Sequence, residues 1–264
     1  MRPAYLTGVS LWSPGYRDLA AFVDGVEDPT VIDCAAPWVP ARLGRGSSRL
    51  TRMLGEVAAR ACEGAAVDPK TVATLYASSY GEIETMVVLL QAIFEGDGQL
   101  SPMRFKNSVH NAAGGLGSIG TGNQAFSTAL AAAERSLEAG LLEAMALLSE
   151  RGGAAVVAVA DDRLPAPLSA QCAREGLAVG LCVQSARPEG GALAVLDGLR
   201  MERDAVPFMP RFAGRVLDPG RAANPAAAAL PLLEAVREGH EAWVPLAFDV
   251  PRPWVLRVRP DLVP

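Results

Sequence analysis

Between residues 101 and 150 the chain reads SPMRFKNSVHNAAGGLGSIGTGNQAFSTALAAAERSLEAGLLEAMALLSE, and this run restricts the possible folds more than any other. It opens on a Ser-Pro turn signal, passes through glycines and ends in a long helical pattern. Leu137, Leu141, Met145 and Leu148 recur at helical spacing, so they share one face. Glu134 stands at the head of that stripe. Free backbone N–H groups and the macrodipole favour a carboxylate at a helix start. A largely buried helix over about 134–149 is therefore expected, with Glu134 at its N-terminus. On pattern alone Glu134 is a plain helix-start acid, because acidic residues are common in first turns.

Strand and helix patterns alternate on both sides of this run. Residues 4–12, closed by Ser13-Pro14-Gly15, read as a strand ending in a turn. Residues 16–23 suit a short helix, and residues 28–43, rich in Pro and small side chains, suit a surface loop. With Ser47-Ser48 as cap, residues 49–63 form a helix whose apolar face holds Leu50, Met53, Leu54, Val57 and Ala61. Residues 71–78 read as a second strand. Residues 83–94 read as a helix with Met86, Leu89, Leu90 and Ile93 on one face. The apolar run 154–160, bounded by Gly152-Gly153 and Asp161-Asp162, is a buried strand. Residues 176–184 and 192–199 are expected as an adjacent antiparallel pair. Residues 222–238 suit an Ala- and Leu-rich helix, and residues 243–248 with 254–258 a terminal hairpin. This alternation implies an α/β fold, with helices layered around a central mixed sheet of five or six strands.

Half the residues are hydrophobic, enough for a sizeable core. A net charge of −5 argues against general nucleic-acid binding. Cys34, Cys62, Cys172 and Cys182 lie in separate contexts with no C-x-x-C pair, and read as buried free thiols. With two histidines far apart, no metal is expected, and no cofactor. Gly115 to Gly120 spell G-x-G-x-x-G, but the preceding residues 108–113 are polar and not strand-like, so nucleotide binding is not expected. His110 reads as a structural hydrogen-bonding residue, and His240 lies in a polar segment. No secretory signal opens the chain and no window matches the roughly eighteen uncharged apolar residues of a membrane span. A soluble cytoplasmic protein without a membrane span is the expectation.

The positions Ser101-Pro102, Phe105, Asn107-Ser108, Asn111-Ala112, Gly115, Ser118-Ile119 and Gly122 resemble the segment of β-ketoacyl synthases that leads to their nucleophile. Those enzymes read roughly S-P-x-x-F-x-N-S-x-x-N-A-x-x-G-x-x-S-I-x-x-G, then a short strand, then T-A-C at the start of a buried helix. Held in register from Ser118-Ile119, residues 126–133 cover the strand and Glu134 falls on the nucleophilic Cys. The chain resembles most the short chain-length-factor subunits of aryl polyene gene clusters. The resemblance runs over about residues 1–200, the N-terminal half of a thiolase-like fold. Residues 201–264 are a short divergent tail that it does not place. What it implies is an incomplete thiolase-like fold, forming one ketosynthase-like domain over 1–264. Ketosynthases take their two catalytic histidines from a later half, for which this length leaves no space.

The resemblance implies a non-catalytic chain-length factor. Its partner would be a full-length β-ketoacyl synthase, joined to it as a heterodimer that shapes the acyl tunnel, and an acyl carrier protein would dock, through that partner or directly. The implied interface is Phe126, Ser127, Thr128, Ala129, Leu130, Ala131, Ala132 and Ala133, because ketosynthases pair the strand before the nucleophile across a two-fold axis. The implied pseudo-active site is Asn107, His110, Asn111 and Glu134. Arg42, Arg45, Arg49 and Arg52 cluster at the entrance of the 49–63 helix. They are either a solvated face with scattered acids or a docking patch for an acidic carrier. Two other readings stand beside this one. The chain could be an enzyme using Glu134 as base, an acyl-thioester hydrolase or malonyl decarboxylase, or a stand-alone acyl- or carrier-protein-binding module.

Overall fold

The computed structural model describes residues 2–96, 98–170, 172–207, 209 and 211–261. The chain opens with strand β1 (Ala4–Trp12), a short helix α1 (Leu19–Asp24) and, after an irregular stretch, the long helix α2 (Arg49–Gly64). β2 (Ala73–Ala77) leads to three helices, α3 (Ile83–Phe94), α4 (Pro102–Asn107) and α5 (Ala112–Thr121). β3 (Ser127–Leu130), α6 (Ser136–Arg151), β4 (Ala154–Asp161), β5 (Leu177–Gln184) and β6 (Ala194–Met201) follow. The tail holds a two-residue ribbon, β7 (Arg211–Phe212) with β8 (Arg215–Val216), then α7 (Pro219–Ala222), α8 (Leu230–Glu238), β9 (Ala242–Pro245) and β10 (Trp254–Arg259).

Eight of the strands form one mixed sheet in the order β3-β2-β4-β5-β1-β6-β10-β9. β3, β2 and β4 are parallel; every other pairing is antiparallel. Helix α2 covers one face, where Met53, Leu54 and Val57 meet Trp12, Val156 and Cys182. Helices α6 and α8 cover the other, where Leu137, Leu141 and Met145 meet Leu75, Val157 and Leu181. The Ser48 side chain accepts the N–H of Thr51, as the cap reading of Ser47-Ser48 expected. Gly180 lets α2 lie directly on the sheet: a Cβ there would fall 2.3 Å from the Val57 carbonyl oxygen.

The α/β class and the central mixed sheet agree with the sequence, and several details do not. The sheet is wider than five or six strands because the terminal hairpin, β9 with β10, docks on β6 and extends it. The segments 176–184 and 192–199 are not adjacent. β1 lies between them, and β6 continues in the direction of β5 after stepping around the start of β1, pairing only Ala4, Tyr5 and Leu6. The expected 222–238 helix is broken: a 3-10 segment, Pro225–Ala229, precedes α8. The expected strand 126–133 is shorter, with ladder residues only at Ser127–Leu130. The stripe on α3 is largely uncovered, since Leu89 is buried but Met86, Leu90 and Ile93 are exposed. Of the four free cysteines, Cys62 and Cys182 are buried while Cys34 and Cys172 are only half-buried.

Candidate functional site

Three loops leave the carboxyl ends of the three parallel strands, the usual place for ligands on an α/β sheet. The loop after β2 carries Ser78 to Glu82, the loop after β3 carries Glu134, and the loop after β4 carries Arg174.

The first of these loops is held by two buried carboxylates. Asp161, at the end of β4, accepts the Ser78 hydroxyl at 2.9 Å, the Ser79 N–H at 3.0 Å and the Tyr80 N–H at 3.4 Å. Glu82 accepts the hydroxyls of Thr51 at 2.7 Å, Ser48 at 2.8 Å and Thr85 at 3.2 Å. Burial pushes both carboxyls above their ordinary values, against the pull of these donors. Neither acid was singled out from sequence. Asp161 reads there only as a strand terminator and Glu82 only as a turn residue; the one available signal is the cluster of hydroxyls, Ser78-Ser79 and Ser48, that face them.

The loop after β3 differs from the expected helix start. Ala133 takes a left-handed φ of 48°, which costs a non-glycine residue on the order of 1 kcal/mol or more and ends the strand in a sharp turn. A 3-10 turn, Ala133–Arg135, follows, and α6 begins only at Ser136, whose hydroxyl donates to the Ala133 carbonyl at 2.7 Å. Glu134 is consequently lifted out of the core, with its side chain 56% exposed, instead of heading a buried stripe. The stripe itself, Leu137, Leu141, Met145 and Leu148, is buried as expected. Glu134 borders a cleft of about 190 Å³ formed with tail residues including Asn224, Ala228 and Asp249.

The partner of Glu134 is Arg174, whose NH2 lies 3.6 Å from Glu134 Oε1. The Arg174 side chain is only 8% exposed and its guanidinium sits 5.2 Å from the centre of the Tyr80 ring. Its Nε and NH1 are buried and have no acceptor. An orphaned buried donor costs about 1–3 kcal/mol, more when charged. Sequence reasoning passed over Arg174, which lies in a loop without periodicity.

The other expected site residues scatter around these loops. His110 abuts Gly81, where a Cβ would fall 2.2 Å from His110 Nδ1. Its Nε2 is buried without a partner, so it is not the satisfied hydrogen-bonding residue the sequence suggested. Asn107 is buried and donates to the Gly46 carbonyl at 3.1 Å, bridging α4 to the entrance of α2 and away from Glu134. Asn111 occupies the N-cap position of α5 but is exposed and makes no side-chain cap bond. Glu134 and His110 thus flank the turn Ser79 to Gly81, while Asn107 and Asn111 do not join them.

The arginine cluster divides. Arg49 makes a two-point contact with Asp162, its Nε lying 2.9 Å from Oδ2. Arg52 binds Asp33, with NH2 to Oδ2 at 2.9 Å, and donates to the Ser47 carbonyl at 2.8 Å. Arg42 and Arg45 are exposed with no ion pair among the described residues. Arg49 and Arg52 line an open groove of about 560 Å³ that also contains Arg104 and Arg163.

β3 is the last strand of the sheet on its side. The Phe126 and Leu130 carbonyls accept from Thr74 and Ser78 of the β2 segment at 2.9 and 3.1 Å. By strand alternation the N–H and C=O of Ala129 point away from β2, to an edge with no strand partner among the described residues. Phe126 and residues 128–130 are half-buried, whereas Ala131 and Ala133 lie past the strand and are exposed. Tail residues reach the same end of the sheet. Asn224 donates to the Asp161 and Glu175 carbonyls at 2.8 Å each, and Glu138 of α6 accepts the Trp254 N–H at 2.9 Å. Among the described residues no cluster could hold a metal, and no helix is long and apolar enough to cross a membrane.

A family profile described as β-ketoacyl synthase, N-terminal domain, matches residues 20–205. A search of curated proteins gave no match. Among solved structures, the chain is similar to the ketosynthase ApeO in complex with its chain length factor ApeC from Xenorhabdus doucetiae, at 18% identity over 98% of this chain and 100% of that one, with a TM-score of 0.67. The ishigamide ketosynthase/chain length factor is similar at 17% identity over 97% and 99%, with a TM-score of 0.74. A type II acyl-carrier protein complex with its hexaketide-bound ketosynthase, AntDE:AntF, is similar at 13% identity over 98% and 100%, with a TM-score of 0.70. Identities this low establish a shared ketosynthase-type fold.

Proposed function

The chain belongs to the β-ketoacyl synthase family, in its N-terminal domain, and from that premise we propose that it is a non-catalytic chain-length-factor subunit of an aryl polyene-type condensing complex. The observation that carries this reading is the free outer edge of β3. Its segment, Phe126 to Ala133, is dominated by small side chains, which let two strands approach closely, and a sheet edge of this character needs a cover. The cover we infer is the matching strand of a full-length β-ketoacyl synthase, paired across a two-fold or pseudo-two-fold axis. Helix α5, which packs against β3, adds an exposed apolar side chain, Ile119. An obligate interface of this kind buries upwards of roughly 2,000 Å².

In this reading the ketosynthase supplies the thiolate and the imidazoles, and this subunit completes the dimer and shapes the acyl tunnel. Glu134 stands at the nucleophile register, and a carboxylate is a weak nucleophile towards a thioester. Its exposure and its contact with Arg174 favour a structural role over that of a buried general base. Residues 1–200 and the tail 201–264 act as one unit, since Asn224 and Trp254 tie the tail to β4 and α6. Arg42 and Arg45 are the members of the arginine cluster left open for an acidic acyl carrier protein. Co-expression with a full-length ketosynthase from the same gene cluster tests the proposal. The expected result is a one-to-one complex that condenses acyl and malonyl carrier substrates only when both chains are present. A chain that elutes as a monomer beside the ketosynthase overturns it, and acyl-thioester turnover by the chain alone would move the assignment to an enzyme using Glu134.

A further inference from the structure

The Arg174 guanidinium is the most under-used charged group among the described residues. It comes from the loop after β4 and lies against Tyr80 from the loop after β2 and Glu134 from the turn after β3, so it sits where all three parallel strands present their carboxyl ends. Only one of its three nitrogens has a counter-ion. Glu134 approaches NH2 at 3.6 Å, beyond hydrogen-bond distance, from a side chain that is mostly in solvent. NH1 and Nε are buried with no acceptor, although the side chain is more than nine-tenths enclosed. NH1 and NH2 together form the end of the guanidinium fork that a planar carboxylate spans with two parallel hydrogen bonds. One prong of that fork is empty and the other is loosely held. A second buried nitrogen, His110 Nε2, is also unpartnered at the same Ser79 to Gly81 turn.

We propose that Arg174 is a receptor for a carboxylate of a small-molecule ligand, and that Glu134 is a built-in placeholder which that ligand displaces. The argument is one of donors and acceptors. The unsatisfied Arg174 atoms can only donate, so the group that completes the site must accept, and a guanidinium selects an anion over a neutral carbonyl. Glu134 is suited to yield, because an exposed carboxylate at this distance gives up little on leaving. The site belongs to this chain alone and stands whether or not the chain pairs with a ketosynthase.

Titration of the full chain with succinate, and separately with acetate, at fixed pH and constant ionic strength against chloride, tests the proposal through the shift in melting temperature and by calorimetry. Saturable stabilisation by the carboxylates and not by chloride is expected. Glu134→Gln removes a competitor of the exposed ion-pair kind and should tighten binding about two- to fivefold. Arg174→Lys should weaken it, because a point charge cannot span the two oxygens, and Arg174→Ala should abolish it. Should Arg174→Ala fail to fold, the opposite shifts of Glu134→Gln and Arg174→Lys still decide the matter. No saturable response in either the wild type or Glu134→Gln, or the same response in all variants, overturns the proposal and leaves the Arg174 donors to ordered water. Co-purification with the ketosynthase, followed in parallel, should be unchanged by Glu134→Gln, which separates a failure here from a failure of the partner reading.

Discussion

Two turns at neighbouring strand ends treat their polar groups in opposite ways. After β2, the hydroxyl and N–H groups of Ser78 and Ser79 meet Asp161, and three hydroxyls meet Glu82, so each buried carboxylate has its donors. After β3, Glu134 projects into solvent, and the Arg174 behind it keeps two buried nitrogens unpaired. Both turns sit at the carboxyl ends of the parallel strands, so position does not explain the difference. The carboxylates that hold the first find their donors within this chain. The second lies beside the outer edge of β3, and the proposed ligand and partner would complete it. Among the described residues the buried side-chain nitrogens left without a partner, those of Arg174 and His110, lie beside these two turns, and an unpaired buried polar group calls for a partner.

The largest expected effect comes from breaking the open side. The N–H of Ala129 points away from β2, so Ala129→Pro removes an outward donor without cutting the β2–β3 ladder. The variant should keep its circular dichroism spectrum and melting temperature and lose co-purification with the ketosynthase, while the surface control Glu238→Lys keeps it. Wild-type pairing by Ala129→Pro would move the interface away from β3. Breaking the closed side should act on the chain itself. Asp161→Ala strands the Ser78 hydroxyl and the Ser79 and Tyr80 N–H groups, and should lower stability on the order of 3 kcal/mol in urea unfolding. A loss below about 1 kcal/mol would mean that water replaces the carboxylate.

This difference explains what the sequence could convey. Helix α3 was read with its observed ends, α2 with its Ser48 cap and apolar face, and β4 as a short buried run, because those signals are local. The resemblance in residues 101–122 puts a helix start at Glu134, where the structure has a 3-10 turn ahead of α6. Strand order was not legible: nothing in residues 176–199 announces that β1, from the far end of the chain, will lie between β5 and β6. The exposure of Glu134 was missed because it depends on one left-handed residue, Ala133, that local pattern does not mark. Asp161, Glu82 and Arg174 were missed because each meets its neighbours only through the meeting of distant loops.

A finer contrast between the turns lies in pH. Burial raises the Asp161 carboxyl above its ordinary value of 3.8, although its hydrogen bonds oppose that. Between 3.8 and the raised native value the folded chain therefore binds more protons than the unfolded chain, and stability falls as pH rises through that window. Glu82 contributes in the same direction from 4.5 upward. Asp161→Asn keeps an acceptor and removes the titration, so its stability profile should be flatter across the window. An equally steep profile in Asp161→Asn would assign the dependence to other groups.

The smallest effect expected on catalysis is from Glu134→Cys, which restores the family's nucleophile type. A thiol there would stand on an exposed turn on the same side as the Arg174 guanidinium, though two bonds short of the present carboxylate oxygens, and a nearby cation lowers a thiol pKa. Alkylation by iodoacetamide should therefore be faster than at Cys62 or Cys182, which are buried. Condensation needs more than a reactive thiol: imidazoles must support decarboxylation of the extender and stabilise the enolate oxygen. On the proposed reading neither histidine of this chain takes that role. His110 is held against Gly81 with Nε2 enclosed, and His240 is an exposed residue beside Glu238, 3.3 Å from its carboxylate. The variant should accordingly be alkylated quickly and still give no condensation product from acyl and malonyl carrier substrates when assayed alone. Product formation by the isolated variant would show that the open turn after β3 holds a complete active site, and the contrast between the two turns would then separate a structural loop from a catalytic one.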